Sequence, residues 1–173
     1  SSAATLTSTA QFDIVEPSLQ LQKLTSNGSI EKSTKAGVIE RFKLIIQHRA
    51  SSTATARNLV IVDTLSPEME WVDDTALDTT CPGLVLDQAP APGSSGQLVL
   101  NIDRLTLAND QCSIEFDVKM SDTLPTQGAF QNQAQLIWES APGSPDSRFY
   151  SQEARAILLA FDRATISKNV IST

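Results

Sequence analysis

The sequence has few of the residues on which metal and catalytic sites usually depend. Its 173 residues include one histidine, His48, two cysteines and only 5% aromatic residues. The cysteines belong to no CxxC motif, and one histidine is too few for a thiolate–imidazole metal site. No nucleophile elbow is present either. We therefore predict no turnover enzyme, no metal and no cofactor, and we interpret His48 as a surface residue at the end of a strand.

Basic charge and long apolar runs are also scarce. Thirteen Lys and Arg residues stand against 20 Asp and Glu, which gives a formal net charge of −7 and a pI of about 4.6. Nucleic acids and anionic membranes attract basic surfaces, so we expect neither as a partner. No stretch approaches the roughly 20 apolar residues of a membrane span. No signal peptide is visible at Ser1, and the sequence breaks off at Val170-Ile171-Ser172-Thr173, so we expect a segment of a longer chain, monomeric on its own.

The two cysteines, Cys81 and Cys112, leave two interpretations. An even count in an acidic chain rich in Ser and Thr favours a disulfide and an oxidising compartment. The alternative is two reduced, buried thiols.

Alternation of apolar and polar residues is the dominant pattern. In residues 129–138 the side chains of Phe130, Ala134, Leu136 and Trp138 share one face, and three glutamines share the other. A period of two indicates a strand with one buried side. No segment has a convincing 3.6-residue period, and Gly, Pro, Asn and Asp separate the short strands. The sequence therefore predicts an all-β protein, an immunoglobulin-like β-sandwich.

The chain divides into three parts. Residues 1–11 are small and polar and are interpreted as a linker or tag remnant. Residues 12–163 form the predicted sandwich module, and residues 164–173 are a linker or the start of a next repeat. Lys168 follows a Phe-Asp pair much as Lys23 does, which is the pattern expected of a tandem array.

Three polar residues interrupt the apolar faces of predicted strands. Lys23 is in phase with the leucines of LQLQK, Asp63 with the apolar residues of LVIVD, and Asn132 with those of residues 129–138. A buried polar group is costly unless it is satisfied. We predict that all three side chains point into one core.

Each of the three also has an ordinary interpretation. Lys23 could lie at a strand end with its amine in water. Asp63 could cap the following turn, and Asn132 could satisfy an edge or a bulge.

Three segments resemble, in order and spacing, the conserved-repeat domain of bacterial surface proteins (domain of unknown function eleven) and the related CnaA-like adhesin modules. They are PSLQLQK, NLVIVDTLSPEMEWV and GAFQNQAQLIW. The cysteine that opens CSIEFDVKM is also similar to that of some members. The resemblance covers Pro17 to Phe161, and the turn at Ser66-Pro67 departs from it because it lacks the usual glycine.

The resemblance implies a stalk or spacer repeat of a bacterial cell-surface adhesin, located outside the cell, with neighbouring repeats of the same polypeptide as partners. The alternative is a module that binds a ligand of the surface protein, either a glycan or a host protein.

In cross-linking members of the family, a first-strand lysine joins a late-strand asparagine with help from an aspartate. Carried over, the resemblance implies an isopeptide bond between Lys23 and Asn132, with Asp63 as the catalytic residue. Burial supports this chemistry because it lowers a lysine pKa and raises an aspartate pKa. The rival acids Glu115 and Asp117 are out of phase with the apolar residues of their strand and are predicted to face solvent.

Overall fold

The computed structural model describes residues 15–161, which fold into two β-sheets packed face to face. Within these residues there are eleven strands and one 3₁₀ turn, Asp74–Ala76. The predicted all-β, immunoglobulin-like sandwich is confirmed. The strands are β1 (Leu19–Thr25), β2 (Glu31–Thr34), β3 (Ile39–His48), β4 (Ala56–Thr64), β5 (Met69–Trp71), β6 (Asp78–Thr79), β7 (Val85–Gln88), β8 (Gln97–Leu105), β9 (Gln111–Met120), β10 (Gly128–Glu139) and β11 (Phe149–Ala160).

The two sheets are assembled from strands that are mostly distant in the chain. The first sheet has the order β1-β3-β9-β5, with β6 also paired to β9. The second sheet has the order β2-β11-β10-β4-β8-β7. The pairs are antiparallel except β2 and β11, which are parallel. Strand β1 is therefore an edge of the first sheet, and β4 and β10 are neighbours inside the second.

The core lies between the sheets and follows the period-two pattern of the sequence. Inner residues of β9 and β10 alternate with outer polar residues along almost the whole of each strand. Each fully buried aliphatic or aromatic side chain contributes about 1.5–3 kcal/mol. Buried members of the two inner faces include Leu19, Leu21, Phe42, Leu44, Ile46, Ile114, Phe116 and Val118 in the first sheet, and Leu59, Ile61, Leu98, Leu100, Ile102, Ala134, Leu136 and Leu158 in the second.

One sequence interpretation was wrong. His48 is buried, not a surface residue, because it continues the inward-facing phase of β3. Its Nε2 donates to the Leu105 carbonyl at 2.9 Å, and its Nδ1 lies 2.6 Å from Ser52 Oγ. Since Leu105 ends β8 of the second sheet, His48 ties the two sheets together at one end of the module.

The described chain enters at one end of the sandwich and leaves at the other. Near its start, the Pro17 carbonyl accepts a hydrogen bond from Trp138 Nε1 at 3.2 Å, close to the end of β10. Strand β11 ends at Ala160, opposite Gly128 at the start of β10. Gly128 and Trp138, which mark the two ends, are ten residues apart along β10, or about 33 Å. Tension applied along the chain would thus pull β1 and β11 in opposite directions.

The disulfide expected from the cysteine count is present. Cys81, just after β6, is bonded to Cys112 near the start of β9. The Thr80 amide also donates to the Ser113 carbonyl at 2.9 Å, so the connection from β6 is fixed to β9 by both covalent and hydrogen bonds.

We predict that replacing both cysteines, Cys81→Ser with Cys112→Ser, lowers the free energy of unfolding by about 3–4 kcal/mol, because a disulfide spanning 31 residues no longer restricts the unfolded chain. Urea unfolding measures this change. The wild-type protein in reductant is the matched control and should lose a similar amount. Unfolding curves that coincide for all three samples would show that the disulfide adds nothing.

Candidate functional site

The structure brings Lys23, Asp63 and Asn132 together inside the sandwich, and all three are buried. Lys23 lies on β1 of the first sheet, and Asp63 and Asn132 lie on the neighbouring strands β4 and β10 of the second. Packed sheets are about 10 Å apart, a gap that an extended lysine side chain can cross. The predicted inward orientation of the three residues is therefore confirmed.

Lys23 and Asp63 form an ion pair without contact with water. The Lys23 amine donates a hydrogen bond to Asp63 Oδ2, and neither side chain has any exposed surface. Two of the ordinary interpretations fail here, since the Lys23 amine does not reach water and Asp63 does not cap a turn at the surface.

Two aromatic rings line the remaining surroundings of the amine. Lys23 Nζ lies 4.9 Å from the ring centroids of both Phe42 and Phe116. These rings are cross-strand partners on β3 and β9, with centroids 5.9 Å apart. They exclude water from the amine while their faces still attract its positive form.

Burial shifts the protonation of both groups toward their neutral forms. Desolvation lowers the pKa of Lys23, and the attraction and hydrogen bond of Asp63 oppose that shift only in part. Desolvation raises the pKa of Asp63, opposed by Lys23 and more weakly by the Asn132 amide. A neutral amine beside a protonated carboxyl is thereby brought close in energy to the ion pair.

Asn132 has buried polar atoms without ordinary partners. Ala134, two residues along β10 on the same face, pairs with Asp63, so Asn132 is a diagonal neighbour of the carboxyl. The Asn132 amide lies close enough to Asp63 to affect its pKa. Yet Asn132 Nδ2, Asn132 Oδ1 and Asp63 Oδ1 make no hydrogen bond of ordinary geometry. Each such orphaned group costs about 1–3 kcal/mol.

The rival acids lie outside the core, as predicted. Glu115 accepts from Lys43 Nζ at 2.8 Å, and Asp117 accepts from the Arg41 guanidinium at 2.6 and 3.0 Å. Both pairs lie on the outer face of the first sheet, so Asp63 is the carboxyl that contacts Lys23.

Sequence reasoning missed a further buried carboxylate, Glu40. Its side chain is only 2% exposed and pairs with Lys32 Nζ at 2.5 Å. Glu40 is in phase with the inner residues of β3, a signal that the sequence did contain. Strand β2, which carries Lys32, was not predicted, because its sequence EKST has neither apolar alternation nor β-branched residues beyond one threonine.

Other kinds of site find little support in the described residues. Among residues 15–161, no group of three or more His, Cys, Asp or Glu side chains is arranged to hold a metal ion. No helix among these residues is long and apolar enough to cross a membrane. Lys168 and the proposed repeat start lie outside the described residues.

Comparison by sequence finds no relative for the chain. No protein-family model matches it, and no curated protein matches it.

Comparison by structure finds the same fold in parts of bacterial pilins. The major pilin subunit BcpA of Bacillus cereus matches with a TM-score of 0.62 and 8% identity, over 83% of this chain and 40% of that one. A 35 kDa C-terminal fragment of the major pilin GBS80 of Streptococcus agalactiae matches with a TM-score of 0.57 and 10% identity, over 84% and 56%. The major pilin SpaD of Corynebacterium diphtheriae gives 0.53 and 12%, over 80% and 35%.

The matched part is about a third to a little over a half of each pilin. At these identities the comparisons show a shared fold, that of one domain within larger bacterial pilins.

Proposed function

We propose that the chain is a structural stalk or spacer module of a bacterial cell-surface protein, locked by a covalent bond between Lys23 Nζ and the side-chain carbonyl carbon of Asn132, with Asp63 as the catalytic acid–base. The fold shared with pilin domains supports a module of a surface polymer or adhesin located outside the cell. The disulfide agrees with an oxidising compartment.

The observation that carries the proposal is the set of orphaned polar atoms beside the buried ion pair. A fold that only needed stability would gain by replacing Lys23 and Asp63 with apolar residues of similar size. Amide formation would remove Asn132 Nδ2 from the core as ammonia. The N–H of the product amide would then donate to one oxygen of Asp63, and its carbonyl would accept from the protonated Asp63 carboxyl.

The reaction needs the amine in its neutral form. Proton transfer from Lys23 to Asp63 within the pair provides the neutral amine and the carboxylic acid together. The amine attacks the Asn132 carbonyl carbon, and the Asp63 carboxyl donates a hydrogen bond to the developing oxyanion.

Collapse of the tetrahedral intermediate completes the exchange of bonds. Asp63 accepts the proton that the attacking nitrogen loses and delivers a proton to the leaving nitrogen. One C–N bond forms, one C–N bond breaks, neutral ammonia departs, and Asp63 is left as the carboxylic acid that it became by taking the Lys23 proton. Each molecule reacts once, so this is maturation and not turnover. The fixed positions of the three strands supply the effective concentration that makes an amide reactive toward an amine.

The bond would change how the module carries tension. Without it, β1 is held by backbone pairing with β3, by a hydrogen bond to the Gln152 side chain of β11 and by packing against β11. With it, tension entering at β1 passes at Lys23 directly to β10. By analogy with a disulfide that closes a loop of about 100 residues, the bond would also add roughly 4–5 kcal/mol of stability.

We predict that the intact protein, measured by mass spectrometry in reductant, is lighter than its sequence by the mass of one ammonia. Asp63→Ala should restore the full mass, because Asp63 is the one carboxyl within residues 15–161 that pairs with Lys23. Asp63→Asn, which keeps the size of the side chain but cannot donate a proton as an acid, should also restore it.

The matched control is Glu115→Ala, which removes a carboxylate from the outer face of the same sandwich and should leave the ammonia loss intact. Full sequence mass in the wild-type protein would contradict the proposed bond. Ammonia loss that persists in Asp63→Asn would contradict the role of Asp63.

We also predict that the rate of ammonia loss in newly synthesised protein hardly changes between about pH 6 and pH 8. The ion pair and the neutral pair contain the same number of protons. Moving the proton from Lys23 to Asp63 therefore exchanges no proton with solvent, and pH does not alter the ratio of the two forms. Quenched samples from cell-free synthesis at several pH values would give these rates. An amine in contact with water, with its pKa near 10.4, would instead react about tenfold faster per pH unit, and that result would contradict a buried pair.

Stretching single modules between marker domains tests the mechanical role. The wild-type module should extend only outside the locked segment, residues 24–131. In reductant, which opens the Cys81–Cys112 disulfide inside that segment, Asp63→Ala should add the length of the segment, roughly 350–390 Å at about 3.3–3.6 Å per residue. Equal extension of the two proteins would show that tension does not pass through a Lys23–Asn132 bond.

A further inference from the structure

The Lys23–Asn132 reaction requires that β1 be held at a fixed distance from the second sheet. Strand β1 is an edge strand, and the strand with which its backbone pairs is β3 of the first sheet. Lys23 must nevertheless be held against Asn132 of the second sheet. Reactions of this type are sensitive to placement, since an error of about 1 Å can cost on the order of 100-fold in rate. Some contact must therefore fix the distance between β1 and the second sheet.

The first such contact is made by Gln152. Gln152 lies on β11 in the second sheet, opposite Leu136, and is partly buried. Its Oε1 accepts a hydrogen bond from the backbone N–H of Leu21 at 3.0 Å. Only the oxygen of the amide can accept from an N–H, so the orientation of the side chain is fixed by chemistry. The side chain thus bridges the two sheets at the free edge of β1.

The bridge from Gln152 lies close to the reactive lysine. Leu21 precedes Lys23 by two residues, and the two side chains share the inner face of β1. A bridge at Leu21 therefore acts one side-chain step from the reactive amine.

A second bridge lies beyond Lys23 along the chain. Lys32 of β2, in the second sheet, pairs with Glu40 of β3, in the first, at 2.5 Å. The same amine donates to Ser26 Oγ at 2.8 Å, in the short connection from β1 to β2. The end of β1 is thus also tied to both sheets.

We propose that Gln152 is a positioning residue for the Lys23–Asn132 reaction, holding β1 at the distance from the second sheet at which the amine meets the amide, with the Lys32–Glu40 pair bracketing β1 on its other side. This rests on the proposed function. Gln152 touches none of the reacting atoms and acts through the backbone of β1.

The test follows cross-linking in newly made protein. Full-length chain is produced by a short pulse of cell-free synthesis, samples are quenched in acid, and the fraction that has lost ammonia is read from the intact mass. Gln152→Leu removes the acceptor and should slow the reaction at least about tenfold. Gln152→Glu keeps an acceptor oxygen and should restore a rate within about threefold of wild type.

Gln22→Leu is the matched control. Gln22 lies next to Lys23 on β1, but its side chain is on the exposed outer face. The same change of residue type there should leave the rate unaffected. The thermal midpoint of each variant is also measured in a Lys23→Met background, where no bond can form. There Gln152→Leu and Gln152→Glu should unfold at similar temperatures, so that stability alone cannot explain a difference in their rates.

The outcomes separate the two proposals. If Gln152→Leu reacts as fast as Gln22→Leu, or if Gln152→Glu is as slow as Gln152→Leu, the positioning role is overturned while the cross-link stands. If the wild-type chain never loses ammonia, both the cross-link and the positioning role are overturned.

Discussion

The structure depends on keeping one lysine amine out of water. Lys23 crosses from the first sheet to the second, with Phe42 and Phe116 beside its amine and Asp63 as its charged partner. An unpaired ammonium in this place would cost several kcal/mol. The core therefore has to supply the carboxyl, and burying that carboxyl raises its pKa in turn. In the proposed reaction, this mutual neutralisation would turn an expensive pair of charges into a neutral nucleophile with an acid beside it.

The path of the chain determines how a bond at Lys23 would change the way the module carries tension. Tension would enter at β1 and leave at β11, and a bond from Lys23 to Asn132 would transfer it between the sheets early in the path. The remaining weak point is the β10–β11 ladder, which would be loaded in shear along 12 paired residues. The Cys81–Cys112 disulfide lies within the locked segment, so its contribution is to stability and not to the transmission of force.

Period-two alternation was sufficient to predict the sandwich and the inward orientation of Lys23, Asp63 and Asn132. It could not predict that Phe42 and Phe116 flank the amine, because that depends on the register of β3 with β9. Glu40 and His48 were missed although both are in phase with the inner residues of β3. Both are polar, and each is satisfied by a partner on the opposite sheet that the sequence does not identify.

The most direct test of the central claim is to isolate the bond itself by tryptic digestion and tandem mass spectrometry. A lysine whose amine has become an amide is not cleaved, so the account predicts one branched fragment that joins residues 1–32 to residues 120–148 through Lys23 and Asn132, lighter by one ammonia than its two parts. Two separate linear peptides, one ending at Lys23 and the other spanning residues 120–148 at full mass, would contradict it.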